Sequence, residues 1–101
     1  MAYNEQLFRE CVNRLEIGDS LFEADHISAY FVKCDDGQIW MVGDCIPDRA
    51  VIPDVEEYVY SLQSCIDAAE QWDEEHENED LWHDVERVRE EIAYYQVEEE
   101  A

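Results

Sequence analysis

Residues 54–101 hold eighteen acids and two bases, yet apolar residues recur there every three or four positions. Val55, Tyr58, Val59, Leu62, Cys65, Ile66, Ala69 and Trp72 form one such series. Leu81, Trp82, Val85, Val88, Ile92 and Tyr95 form a second. That period is the signature of a helix with one buried face. Two amphipathic helices are therefore expected at about 55–76 and 79–96, with their remaining faces given over to carboxylates. Ordinary surface helices interleave charges of both signs, because like charges one turn apart cost a few tenths of a kcal/mol per pair. Here the basic residues are only Arg87 and Arg89.

The excess extends to the whole chain. Asp and Glu number 28 against 6 Lys and Arg, for a formal charge of -22 on 101 residues. High charge with few aromatics implies disorder. This chain instead has 47% hydrophobic residues, 12% aromatic residues, three Gly and two Pro. It can build one small core, and one domain covering 1–101 is expected.

The first half reads differently. Leu7, Phe8, Cys11 and Leu15 share a helical face, so a helix is expected over 3–17, with Gly18 as its end. His26–Cys34 and Gln38–Val42 are rich in β-branched and aromatic residues, and Asp35-Asp36-Gly37 lies between them. Asp-Gly between two such runs signals a hairpin. Ser20–Asp25 is a candidate earlier strand, and either Cys45-Ile46 or Ala50–Ile52 a short later one. Asp54 with Glu57 resembles a capping box, and Asn78 is a candidate cap for the last helix. The fold class is thus α+β: a small antiparallel sheet of two to four strands at about 20–46, with one N-terminal and two C-terminal helices.

No catalytic motif is present. A phosphate-binding Gly-rich loop, Gly-x-Ser-x-Gly, His-Glu-x-x-His and Cys-x-x-Cys are all missing, so an enzyme is not expected. His76, Glu79, Asp80 and His83 cluster near the turn between the last helices, but match no standard metal site, and no metal or other cofactor is expected. Cys11, Cys34, Cys45 and Cys65 are expected as reduced core thiols; a Cys34–Cys45 disulfide stays open. Trp72, Trp82, Tyr58 and Tyr95 are expected in the core. Trp40, Tyr60 and Tyr94 fall near element boundaries and would be partner anchors if exposed. Neither a secretion signal nor an apolar run of spanning length is apparent, and the charge argues against both anionic membranes and direct nucleic-acid binding.

A polyanion of this size should meet cationic protein surfaces, and the largest of those hold DNA or RNA. Asp67, Glu70, Glu74 and Glu77 step by three, four and three along one helix side. Asp80, Asp84 and Glu91 make a second row on the last helix, and Glu86 and Glu90 with Glu79 a third. One turn separates charges by about 5 Å along a helix. Duplex DNA carries one charge per roughly 1.7 Å over both strands, so parallel rows approach its density. The expected role is imitation of nucleic acid, with these carboxylates replacing phosphates.

Val32-Lys33-Cys34-Asp35-Asp36-Gly37, Ala68-Ala69-Glu70-Gln71-Trp72-Asp73-Glu74-Glu75 and Val97-Glu98-Glu99-Glu100 lie where they do in a family of similar architecture. The chain resembles small phage-encoded anti-CRISPR proteins that mimic DNA, in particular the acidic inhibitors of type I surveillance complexes. The likeness is one of element order and charge. It implies a Lys/Arg-rich nucleic-acid-binding partner, a CRISPR-Cas effector or a restriction enzyme, met in the cytoplasm of an infected bacterial host. The alternative expectation is an acidic adaptor, antitoxin or anti-restriction protein with another basic partner.

Overall fold

The structure is a computed structural model describing residues 3–27, 29–43, 49–76 and 79–97, with the side chains of 73–76 outside that description. Helix α1 runs Glu5–Arg14. Asn4 caps it, its Oδ1 accepting from the Leu7 N–H at 3.0 Å. The helix is shorter than the expected 3–17. Leu15 is already extended, at φ -77 and ψ 142, and the Lys33 ammonium takes up the Val12 and Leu15 carbonyls at 3.1 and 2.8 Å. Gly18 does not end the helix. It adopts φ 94 within the following turn, where its N–H bonds the Lys33 carbonyl at 2.8 Å.

Four strands follow: β1 Ser20–Ala24, β2 Ala29–Lys33, β3 Ile39–Val42 and β4 Ala50–Ile52. They form one antiparallel sheet in sequence order. The β2–β3 connection is the expected Asp-Gly turn. Cys34 and Gly37 close it through a 2.9 Å backbone bond, and Gly37 takes φ 80. Asp36 Oδ1 accepts from the Gln38 N–H at 2.9 Å, and its carboxylate also receives the Trp40 indole N–H at 3.2 Å. The fourth strand is Ala50–Ile52, past the expected limit of 46, while the Cys45-Ile46 alternative lies outside the described residues.

Helix α2 spans Val55–His76 and α3 spans Glu79–Tyr95, as their periodicity predicts. Asp54 Oδ1 accepts from the Glu57 N–H at 2.9 Å, and Glu5 Oε2 from the Val55 N–H at 2.9 Å. These satisfy two of the orphan donors of α2. The Asn78 cap is outside the described residues. The other end of the helix pair is tied to α1 through the Asn4 N–H, which bonds the Tyr95 carbonyl at 2.8 Å.

Strand alternation decides what is buried. Phe22, Ala24, Ala29, Phe31, Ile39 and Ile52 face the helices and are buried. Tyr58, Leu62, Ile66, Val85, Val88 and Ile92 meet them from α2 and α3. Tyr58 is central, with ring centroids at 4.8 Å from Phe31, 5.4 Å from Phe8 and 5.6 Å from Tyr95. The α2 helix lies against β4, and α3 against β1. The result is a slab of 41 × 39 × 18 Å, with the sheet as one layer and the two acidic helices as the other.

Candidate protein interface on the acidic helices

Because the core takes one side of α2 and α3, the helices present their opposite sides to solvent. On α2 the exposed residues include Glu56, Glu57, Tyr60, Gln63 and Asp67. On α3 they include Glu79, Asp80, Glu86 and Glu90. Glu79, Glu86 and Glu90 follow one another by seven and four residues, or about 10 and 6 Å along the helix. Packed helices lie about 8–10 Å apart axis to axis, which sets two carboxylate rows side by side.

The structure keeps some expected site residues on this face and withdraws others. Asp67 is exposed, its Oδ1 receiving the Gln63 amide at 3.1 Å. Asp80, Glu86 and Glu90 are exposed as well. Glu70 is turned toward α3 and bonded to Arg89, so its charge is matched between the helices. The side chain of Glu74 and the whole of Glu77 lie outside the described residues.

Asp84 departs furthest from the expectation. Only 6% of it is exposed. Its Oδ2 accepts from the backbone N–H of His26 at 2.8 Å and lies 3.0 Å from His26 Nδ1. Arg87 approaches its other oxygen at 3.6 Å. The group anchors the β1–β2 turn to α3 and is not part of an outward row. Glu91 is also withdrawn. It lies half-buried and accepts from the Tyr58 hydroxyl at 3.0 Å. Burial raises its carboxyl above the ordinary range, and bonds from Tyr58 and Tyr95 hold it back in part. Burial and the nearby Glu91 charge push both tyrosine hydroxyls up in turn.

The two bases of the helical half are both engaged. Arg87 donates to the Glu23 carbonyl at 3.2 Å and lies over the Phe22 ring at 5.5 Å. Arg89 is held by Glu70. The outward faces of α2 and α3 therefore display carboxylates whose charge no base on these helices is placed to cancel.

Glu56 and Glu57 belong to this face although sequence reasoning read Glu57 only as part of a cap. The spacing carries their signal: positions 56, 60, 63 and 67 form a stripe about 100° around the helix from Val55, Val59, Leu62 and Ile66. Tyr60 and Tyr94 are exposed, at 69% and 56%. Trp72 and Trp82 correct the core expectation, being 45% and 39% exposed. Each lies at the margin of its apolar series.

The thiols of Cys11, Cys34 and Cys65 are free and half-buried, and burial pushes the Cys65 thiol up. Cys45 is outside the described residues; with its thiol free, Cys34 forms no disulfide. Among the described residues, no group of three His, Cys, Asp or Glu side chains is arranged to hold a metal ion. The His76 side chain is not among those described. No described helix is long and apolar enough to cross a membrane. No protein-family model matches the chain, and no curated protein or solved structure proves similar to it.

Proposed function

We propose that the chain is a mimic of nucleic acid, which occupies the phosphate-gripping surface of a cationic protein and excludes the natural ligand. One observation carries this reading. The exposed carboxylates of α2 and α3 stand in neighbouring rows on one side of the slab, and the only two bases on these helices are bound to other groups. Lys and Arg grip carboxylates through the same charge-assisted bonds they make to phosphate. A field of one sign also speeds encounter with a cationic groove. The role needs no catalysis, only occupancy. Its partner class is a nucleic-acid-binding defence protein, a CRISPR-Cas surveillance complex or nuclease, and the resemblance in element order and charge supports that choice.

A second reading, an adaptor, antitoxin or anti-restriction protein on another basic partner, is favoured by the exposed rings of Tyr60 and Tyr94, which a purely ionic contact does not require.

The deciding experiment captures partners from lysate on the immobilised chain at low salt and elutes with excess duplex DNA. Mimicry predicts that duplex DNA releases the bound protein. A ternary assembly of DNA, partner and this chain would exclude it.

A further inference from the structure

Every exposed Tyr or Trp ring among the described residues lies on α2 or α3. Three of the four have an exposed carboxylate one helical turn away: Tyr60 with Glu56, Trp82 with Glu86, and Tyr94 with Glu90. Residues four apart stand beside each other on a helix. For Trp72 the positions four away are Ala68 and His76, and the acids that follow it have side chains outside those described. Single exposed rings are common on protein surfaces. Repeated pairing of ring and carboxylate, on the face that also carries the outward charge, calls for a chemical account.

Lysine and arginine differ at such a pair. A Lys ammonium is a compact, strongly hydrated point charge that gains mainly from the carboxylate. A guanidinium is planar and weakly hydrated, so it can stack on the ring while its edge donates to the carboxylate. We infer that Glu56/Tyr60, Glu86/Trp82 and Glu90/Tyr94 make this face selective for arginine over lysine, so that its partner is an arginine-lined site. The inference rests on the proposed mimicry and names the partner chemistry. Charge complementarity brings the cationic surface to the helices, and the rings then sort its side chains.

The test uses short peptides of four arginines or four lysines, titrated into the whole protein at fixed low ionic strength and followed by NMR. Stacking at exposed sites should give the arginine peptide an advantage of about two- to five-fold. Its side-chain methylene signals should move upfield through ring currents. In a Tyr60→Leu, Tyr94→Leu double variant the advantage should shrink and the upfield shifts weaken, while the lysine peptide binds as before. Tyr60→Phe, which keeps a ring, should retain the preference. Circular dichroism checks that each variant is folded. Equal affinity for the two peptides, or an arginine preference untouched by the leucine variant, overturns the inference and leaves mimicry standing as a matter of charge alone. Failure of both peptides to bind overturns it as well and counts against the mimicry. Release of a captured partner by duplex DNA tests the mimicry without reference to these rings.

Discussion

Asp84 and His26 lie 58 residues apart in sequence and share one carboxylate oxygen, which accepts from the His26 backbone at 2.8 Å and lies 3.0 Å from its ring nitrogen. This joins the β1–β2 turn to the third helix and takes Asp84 out of the acidic surface. Asp80, one turn earlier on α3, lies 3.8 Å from the other ring nitrogen of His26.

Replacing Asp84 by Ala should therefore act on stability and not on binding. The His26 N–H loses its acceptor, at a cost of about 1–3 kcal/mol. Urea unfolding should show the loss, and hydrogen exchange at the His26 amide should accelerate. Asp84→Asn, which keeps an acceptor, should cost less. An alanine variant of wild-type stability with weakened partner binding would return Asp84 to the interface.

The exposed row should behave in the opposite way. Substituting Glu56, Asp67, Glu86 and Glu90 by their amides removes like-charge repulsion, so the thermal midpoint should hold or rise. Affinity for a cationic partner should fall by at least ten-fold, with a shallower dependence on salt. Calorimetry of the variant and binding titrations at two ionic strengths check both halves. Unchanged affinity would move the interface elsewhere.

Glu91 offers a pH signature. Its folded-state pKa is raised, so the native state binds its proton more tightly than the unfolded chain does. Stability attributable to this group is therefore greatest below the unfolded value of about 4.3, and declines as pH rises through the folded one. Glu91→Gln keeps an acceptor for the Tyr58 hydroxyl and removes the half-buried charge. It should melt higher than the wild type at neutral pH, and the two curves should converge toward pH 4. A variant less stable at every pH would mean that the bonds to the ionised carboxylate outweigh its burial.

Lys33 makes a fourth case. Its ammonium closes the last turn of α1 through the Val12 and Leu15 carbonyls. Lys33→Met keeps the aliphatic stem and loses both bonds, at a cost of about 1.5–3 kcal/mol for a charged donor. Hydrogen exchange should rise first in α1, ahead of the sheet. Uniform loosening of the whole molecule would show that α1 does not open alone.

Much of this architecture is visible in the chain itself. The apolar period of three and four places α2 and α3 almost to the residue, because it depends on neighbours along one helix. Asp35-Asp36-Gly37 identifies the β2–β3 turn for the same local reason, a glycine able to take positive φ. The end of α1 is less legible. Gly18 is the obvious stop, but the helix ends three residues sooner than expected, where the Lys33 side chain, from a strand distant in sequence, takes up the Val12 and Leu15 carbonyls.

Sequence alone determined that the C-terminal half would carry two helices, at about 55–76 and 79–96, each with one greasy side and a surplus of carboxylates, since periodicity and charge are both properties of the local chain. Tertiary structure decided which carboxylates are surface and which are internal partners. Asp84 and Glu86 are two residues apart on one helix and both are expected in outward rows, although Asp84 falls three residues after Leu81 and four before Val88, on the apolar side. The packing of the β1–β2 turn against one side of α3 buries the first beneath His26 and leaves the second in water. Tyr58 and Tyr60, by contrast, are told apart by the chain itself: only Tyr58 belongs to the apolar series, and it lies against Phe31 while Tyr60 stands exposed. A side chain's charge belongs to its residue, but its burial and its partners depend on elements that the fold brings from elsewhere in the chain.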